Sequence, residues 1–186
     1  MLEFSEKDHV YLLDGKVIPS CTQILQGVGL IQFNGVSPDV LERAAAFGTA
    51  AHRACALDDL GDLDEQSLDP NLKPYLDAWR TFRGDMKFDA IEQPLWHPVY
   101  GFAGCPDRVA GNSIIEIKTS AVVPAWAQLQ TAGYAILADI PTARRIVVHL
   151  KPNGSYSIIE HKDRKNRAVF LSCLTAYQWR IKNATT

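Results

Sequence analysis

Two carboxylates and a lysine stand close together in the stretch Gly104-Cys105-Pro106-Asp107-Arg108-Val109-Ala110-Gly111-Asn112-Ser113-Ile114-Ile115-Glu116-Ile117-Lys118-Thr119. The stretch reads as two short strands around a turn. Residues 102–109 are rich in apolar side chains, Gly111-Asn112 signals a turn, and Ile114, Ile115 and Ile117 mark a strand. An antiparallel pair folded at that turn brings Asp107 and Glu116 near each other across the ladder. Glu116 and Lys118 are two apart, so they share a face. Two carboxylates and an ammonium converging on one face suit a hard divalent cation with a charged helper. The same triplet on a solvated hairpin would be a weak cross-strand salt bridge. Further residues decide between these readings.

Gly48-Thr49-Ala50-Ala51-His52 lies in an expected helix over residues 38–60, with Ser37 as N-cap and Pro38 as first helical residue. Seven alanines between 44 and 56 make this helix small-sided, so the His52 ring can reach outward. A glycine four residues earlier, unfavourable in a helix interior, suggests close approach by something. Gln130-Thr131-Ala132-Gly133-Tyr134 falls on an expected helix over 124–139, where Gln130 and Tyr134 share a face at i and i+4. They read either as a buried polar pair or as hydrogen-bonding groups aimed at the strand ends or a phosphate. Near the start, an expected hairpin over 10–17 turns at Asp14-Gly15 and leads to Ser20, the expected N-cap of a helix reaching about Val28. Such a helix start suits an anionic oxygen.

Taken in order, Gly48/His52, Gly104/Asp107, Glu116/Lys118 and Gln130/Tyr134 resemble the RecB-like branch of the PD-(D/E)XK nuclease superfamily. The Pro-Ser-x-Thr-x-Ile-Leu opening at Pro19 is similar to phage-type exonucleases of that branch and to the mitochondrial genome-maintenance exonuclease. The resemblance spans about Ile18 to Tyr134. It implies an α/β fold with a mixed central β-sheet flanked by helices, the restriction-endonuclease-like core. It implies a metal-dependent DNA exonuclease acting from a free end, serving recombination or DNA processing in a phage or prophage. Asp107, Glu116 and Lys118 would be catalytic. Asp107, Glu116, the backbone carbonyl of Ile117 and His52 would hold Mg²⁺ or Mn²⁺, and an imidazole among oxygen ligands favours Mn²⁺. Ser20, Thr22, Gln130, Tyr134, Arg53 and Arg108 would meet DNA, with Glu92 as a further metal or supporting residue. Partners would be single-stranded DNA or a duplex end, and a phage single-strand annealing protein. A structure-specific endonuclease and a silent DNA-binding module are alternatives; a silent relative should have lost Asp107, Glu116 or Lys118.

Those residues need a scaffold, and the rest of the chain offers one. At 186 residues, 47% hydrophobic and 22% charged, the sequence reads as a single globular domain. Residues 1–86 would precede a catalytic core over 87–160 and a C-terminal helix over 163–182. No apolar run approaches the ~20 residues of a membrane helix, and no leader pattern stands at the start; the expectation is cytoplasmic. The net charge of −2 does not announce a nucleic-acid binder, which needs only a local basic track. Candidates for that track are Arg43, Arg53, Arg80, Arg83, Arg108, Lys151 and the run from Lys162 to Arg167, which reads equally as a solvated helix start. The four cysteines lack metal-ligand spacing, so no iron–sulphur cluster is expected. The acidic run from Asp58 to Glu65 reads as a solvated loop. Further expected elements are a helix over 71–85, strands over 87–96, 146–150 and 156–159, and a closing helix over 168–180.

Overall fold

The computed structural model describes residues 1–5 and 10–184. Three short strands, β1 (Leu2–Ser5), β2 (Val10–Leu13) and β3 (Lys16–Ile18), form an antiparallel sheet in that order. Asp14 and Gly15, at φ 49° and 76°, make the expected turn between β2 and β3. A two-residue hairpin turn of this kind needs positive φ at both positions, which Asp-Gly tolerates. The pairing of β1 was not anticipated.

The chain continues through α1 (Cys21–Gly27), α2 (Pro38–Leu60) and α3 (Lys73–Arg83). The bounds of α2 are those expected, with Pro38 in its first turn and Gly61 closing it in the left-handed conformation at φ 77°. Then come β4 (Ala90–Ile91), β5 (Leu95–His97), β6 (Phe102–Gly104), β7 (Arg108–Ala110) and β8 (Ser113–Lys118). Helix α4 (Ala127–Leu137) crosses to β9 (Arg144–Leu150), and β10 (Tyr156–Glu160) and α5 (Lys165–Asn183) complete the order.

The central sheet runs β10-β9-β8-β7-β4, with β8 and β9 parallel and the other pairs antiparallel. Alternation along β8 sends its apolar residues to opposite faces. Ile114 joins a core with Ile24 and Leu25 of α1, Leu129 and Tyr134 of α4, and Phe170 and Leu174 of α5. Ile115 and Ile117 join the other core, with Cys55 of α2 and Leu76 and Trp79 of α3. Each buried isoleucine stabilises the layering by about 2 kcal/mol relative to exposure. The fold is therefore α/β, a mixed central sheet with helices on both faces. Among the described residues, no helix is long and apolar enough to cross a membrane.

Two expected strands are broken. Residues 87–96 split into β4, in the central sheet, and β5, which pairs with β6. Between them Glu92 sits at φ 47°, and Pro94 offers no N–H to a ladder. Residues 102–109 split likewise into β6 and β7, because Pro106 interrupts them. Asp107 thus stands just before β7, at the end of the central sheet.

Candidate active site

In the β7–β8 register Arg108 faces Ile115 and Val109 faces Ile114. One step further along that register stand Asp107 and Glu116. Both side chains are buried, and the Ile117 N–H donates to Asp107 Oδ2 at 2.6 Å. One carboxylate oxygen is thereby fixed and the other is left to turn outward.

That other oxygen meets His52. From α2, the His52 Nδ1 lies 3.1 Å from Asp107 Oδ1 and 3.9 Å from Glu92 Oε1. Glu92 is anchored through its backbone, since its N–H donates to the Asp107 carbonyl at 3.0 Å. Its positive φ is uncommon outside glycine, asparagine and aspartate, and carries strain of order 1–3 kcal/mol that the surroundings must hold. One ligand atom from each of His52, Glu92 and Asp107 lies within 4.8 Å of the others.

Lys118 faces the same way as Glu116. Its Nζ donates to Glu116 Oε1 at 2.7 Å and to Gln130 Oε1 at 3.1 Å, and it lies 5.2 Å from the centre of the Trp126 ring. Gln130 Nε2 in turn donates to the Tyr134 hydroxyl at 3.0 Å. Gln130 and Tyr134 are buried, so they orient Lys118 from α4 rather than present themselves to a strand. Gly104 lets the Tyr134 ring in: a Cβ there would fall 2.8 Å from Tyr134 Cε1.

Arg108 corrects two expectations. It is fully buried and cannot meet DNA. Its Nε donates to Asp59 Oδ2 at 2.6 Å, and its Nη1 to the Asp107 carbonyl at 2.5 Å and Glu92 Oε1 at 3.4 Å. Trp79 Nε1 donates to Asp59 as well, and Asp58 binds Arg80 and Arg83. Asp58 and Asp59 are thus buried ion-pair partners in the last turn of α2, not a solvated loop. Arg80 and Arg83 leave the candidate basic track with Arg108. Asp59 was legible, because it follows His52 by seven residues, two turns along one helix face. Trp126 carried no periodic signal toward Lys118.

Among the described residues, Ser20, Thr22 and Arg53 form no hydrogen bond or ion pair with this cluster. Ser20 is buried, and its Oγ accepts from the Gln23 N–H at 3.1 Å while Gln23 Oε1 accepts from the Ser20 N–H. This reciprocal box occupies the cap at the short α1. Thr22 is half-buried in that helix, and Arg53 is exposed on α2 beside His52. A Cβ at Gly48 would meet Thr119 Oγ1 at an ordinary 3.7 Å, so no protein atom demands glycine there.

Burial pulls the His52 imidazole down, but Asp107, Glu116 and Glu92 outweigh it and set its pKa at about 9. Burial, and then the Asp107 charge, push Glu116 up to about 7 against the pull of Lys118. Burial and Asp107 also raise Glu92. For Asp107 burial works upward, yet His52, Lys118 and the Ile117 N–H hold it below the ordinary value. The site thus carries more negative charge than Lys118 and Arg108 balance, and it retains protons in consequence.

The donor set fits a divalent cation. His52, Glu92 and Asp107 supply one nitrogen and carboxylate oxygens at mutual ligand spacing. Glu116 Oε2 is buried with no hydrogen-bond partner among the described residues, an acceptor that a cation would satisfy. The expected set lacked Glu92 as a principal member; the strained backbone at Glu92 is what brings it in.

No family model matches the chain, and no curated protein matches it. Among solved structures it is similar to the crystal structure of SSO0001, at 17% identity and TM-score 0.43, over 70% of this chain and 73% of that one. It is also similar to an alkaline exonuclease (LHK-Exo) from Laribacter hongkongensis, at 14% identity and TM-score 0.38, over 89% of this chain and 92% of that one.

Proposed function

We propose that this protein is a metal-dependent deoxyribonuclease that hydrolyses phosphodiester bonds from a free DNA end. The observation that carries the reading is the gathering of His52, Glu92, Asp107, Glu116 and Lys118 at one end of the central sheet, four of which, His52, Asp107, Glu116 and Lys118, stand in the order of the resembled nuclease branch.

His52, Glu92 and Asp107 would hold the cation, and Glu116 and the Ile117 carbonyl would be further oxygen ligands for it. A bound divalent cation, Mg²⁺ or Mn²⁺, supplies Lewis acidity to a phosphate oxygen and acidifies a water it holds. Lys118, fixed by Glu116 and Gln130, orients the attacking water and offsets charge that develops on the phosphate. Before metal arrives, His52 keeps a proton shared with Asp107, which tempers repulsion among the carboxylates. Arg108 holds Glu92 and the Asp107 backbone in register with α2 through Asp59.

The surroundings support the end-dependent reading. The turns of α2 before His52 are largely exposed and stand ready to line a strand's path, with Arg53 beside it. Phosphates would be held there without base readout, so binding should be nearly independent of sequence. A role in phage or prophage recombination or DNA processing belongs to the same reading. The test is incubation with Mg²⁺ or Mn²⁺ and end-labelled linear or covalently closed single-stranded DNA of one sequence. Linear DNA should be degraded while circles resist. Rapid nicking of circles would favour an endonuclease, and DNA binding without cleavage would favour a silent module.

A further inference from the structure

A second cluster of charge lies at the opposite end of β8 and β9. A cavity of about 420 Å³ opens between α4, the start of β9, the end of β10 and the start of α5. That volume lies within the range of small-ligand clefts. Arg144, Arg145, His161, Lys162, Arg164 and Arg167 line it, with Glu160 as the single lining carboxylate among the described residues.

Two groups there are left with unmet needs. Arg145 is 8% exposed, and its guanidinium donates to the carbonyls of Gln128 at 2.9 Å and Asp163 at 2.7 Å. No carboxylate forms a salt bridge with it among the described residues. A buried cation answered only by neutral carbonyls is an expensive arrangement. Beside it, His161 Nε2 is buried and has no hydrogen-bond partner among the described residues. An oxyanion in the cavity gives Arg145 its counter-charge and His161 its acceptor at once. On the rim, exposed Arg144 is held by half-buried Glu160 at 3.1 Å, a pair worth little in water. Arg164 and Arg167 are exposed and form no salt bridge among the described residues. The Asp163 carboxylate is turned to the Lys165 N–H at 2.8 Å instead.

We propose that this cavity is a phosphate-binding site that takes the backbone of a nucleic-acid strand. Guanidinium forks match phosphate geometry. Among the described residues no Phe, Tyr or Trp lines the cavity, so bases lack a broad stacking platform there and the contact is to backbone. Arg145 precedes His149 by four residues in β9, and His149 pairs with Lys118, so the cavity sits about 13 Å along the same sheet face from the catalytic lysine. The assignment to a strand rests on the nuclease reading; the oxyanion site does not.

The test uses the full chain in chelator, so that nothing is cleaved. Inorganic phosphate is titrated while the His161 ring resonances are followed by NMR. In parallel, binding of a labelled single strand is measured against salt for the wild type and for Arg164→Gln combined with Arg167→Gln. Phosphate should shift the His161 resonances saturably. The double variant should bind the strand roughly tenfold more weakly at low salt, with a log–log salt slope reduced by about 1.4, two contacts at ~0.7 each. A phosphate shift with unchanged strand affinity would overturn the strand and leave a site for free phosphate. No shift, or a shift produced by polyglutamate in place of phosphate, would overturn the site. A wild type that shifts with phosphate yet cleaves no DNA overturns the nuclease reading alone.

Discussion

Metal and protons compete for His52, and the competition has a size. In the metal-free protein its pKa stands at about 9. At pH 7, two units lower, only ~1% of the imidazole is neutral and able to coordinate. Metal binding through this ring is therefore suppressed ~100-fold at pH 7 and should recover about tenfold per pH unit up to pH 9. Glu116, at about 7, adds a second proton to displace below neutrality, so the dependence steepens there. His52→Gln removes both the ligand and its proton. The variant should bind Mn²⁺ more weakly at pH 9, and its affinity should be nearly flat between pH 7.5 and 9. Calorimetric titration with Mn²⁺, in buffers of differing ionisation enthalpy, reads affinity and proton release together. About one proton per Mn²⁺ should leave the wild type at pH 8 and almost none the variant. An equal pH slope in both proteins would refute the placement of His52 in the metal set.

Three other outcomes follow from the same contacts. His52 and Glu116 both have folded pKa values raised above their ordinary 6.5 and 4.5, so the folded chain binds more protons than the unfolded one. The thermal midpoint of the metal-free protein should therefore fall as pH rises from about 5 to about 9, and saturating Mn²⁺ should reverse that slope; a metal-free midpoint that rises over this range contradicts it. Arg108→Gln removes the closest ion-pair partner of Asp59, which keeps Trp79 and Arg83, and releases Glu92, so denaturant unfolding should show a loss of about 2–3 kcal/mol; a loss under 1 kcal/mol would show that the network bears little weight. Gly104→Ala drives a methyl into the Tyr134 ring and Leu137 Cδ1; stability should drop by about 1–3 kcal/mol, and cleavage should fall further than Mn²⁺ affinity because Gln130 and Lys118 shift, whereas unchanged cleavage would separate Tyr134 from Lys118.

The parts of this molecule set by neighbouring residues were readable in advance. The Asp14-Gly15 turn, the Ser37-Pro38 start of α2 and the Asp107–Glu116 juxtaposition each rest on turn chemistry or strand parity over a few positions. What stayed hidden depends on partners distant in the chain. Residues 87–96 look like one strand until β4 and β5 find different sheets. Asp58 and Asp59 look solvated until Arg80, Arg83 and Arg108 arrive from α3 and β7. Arg108 looks like a cation for DNA by type alone, and only its burial against Trp79 and Phe88 gives it a structural role. Glu92 was named beside the site, but its closeness to His52 depends on a backbone conformation that glutamate rarely adopts.

The central claim is that the cluster around Asp107 hydrolyses DNA with a divalent cation. The most direct measurement is the rate at which an end-labelled linear single strand is degraded in Mn²⁺ by the wild type, Asp107→Asn and Glu116→Gln, with chelator as control. Far-UV circular dichroism of each protein confirms that the fold is kept. The account predicts mononucleotide or short products from the wild type, and loss of cleavage in both variants and in chelator. Cleavage at the wild-type rate by either folded variant, or in excess chelator, would contradict it.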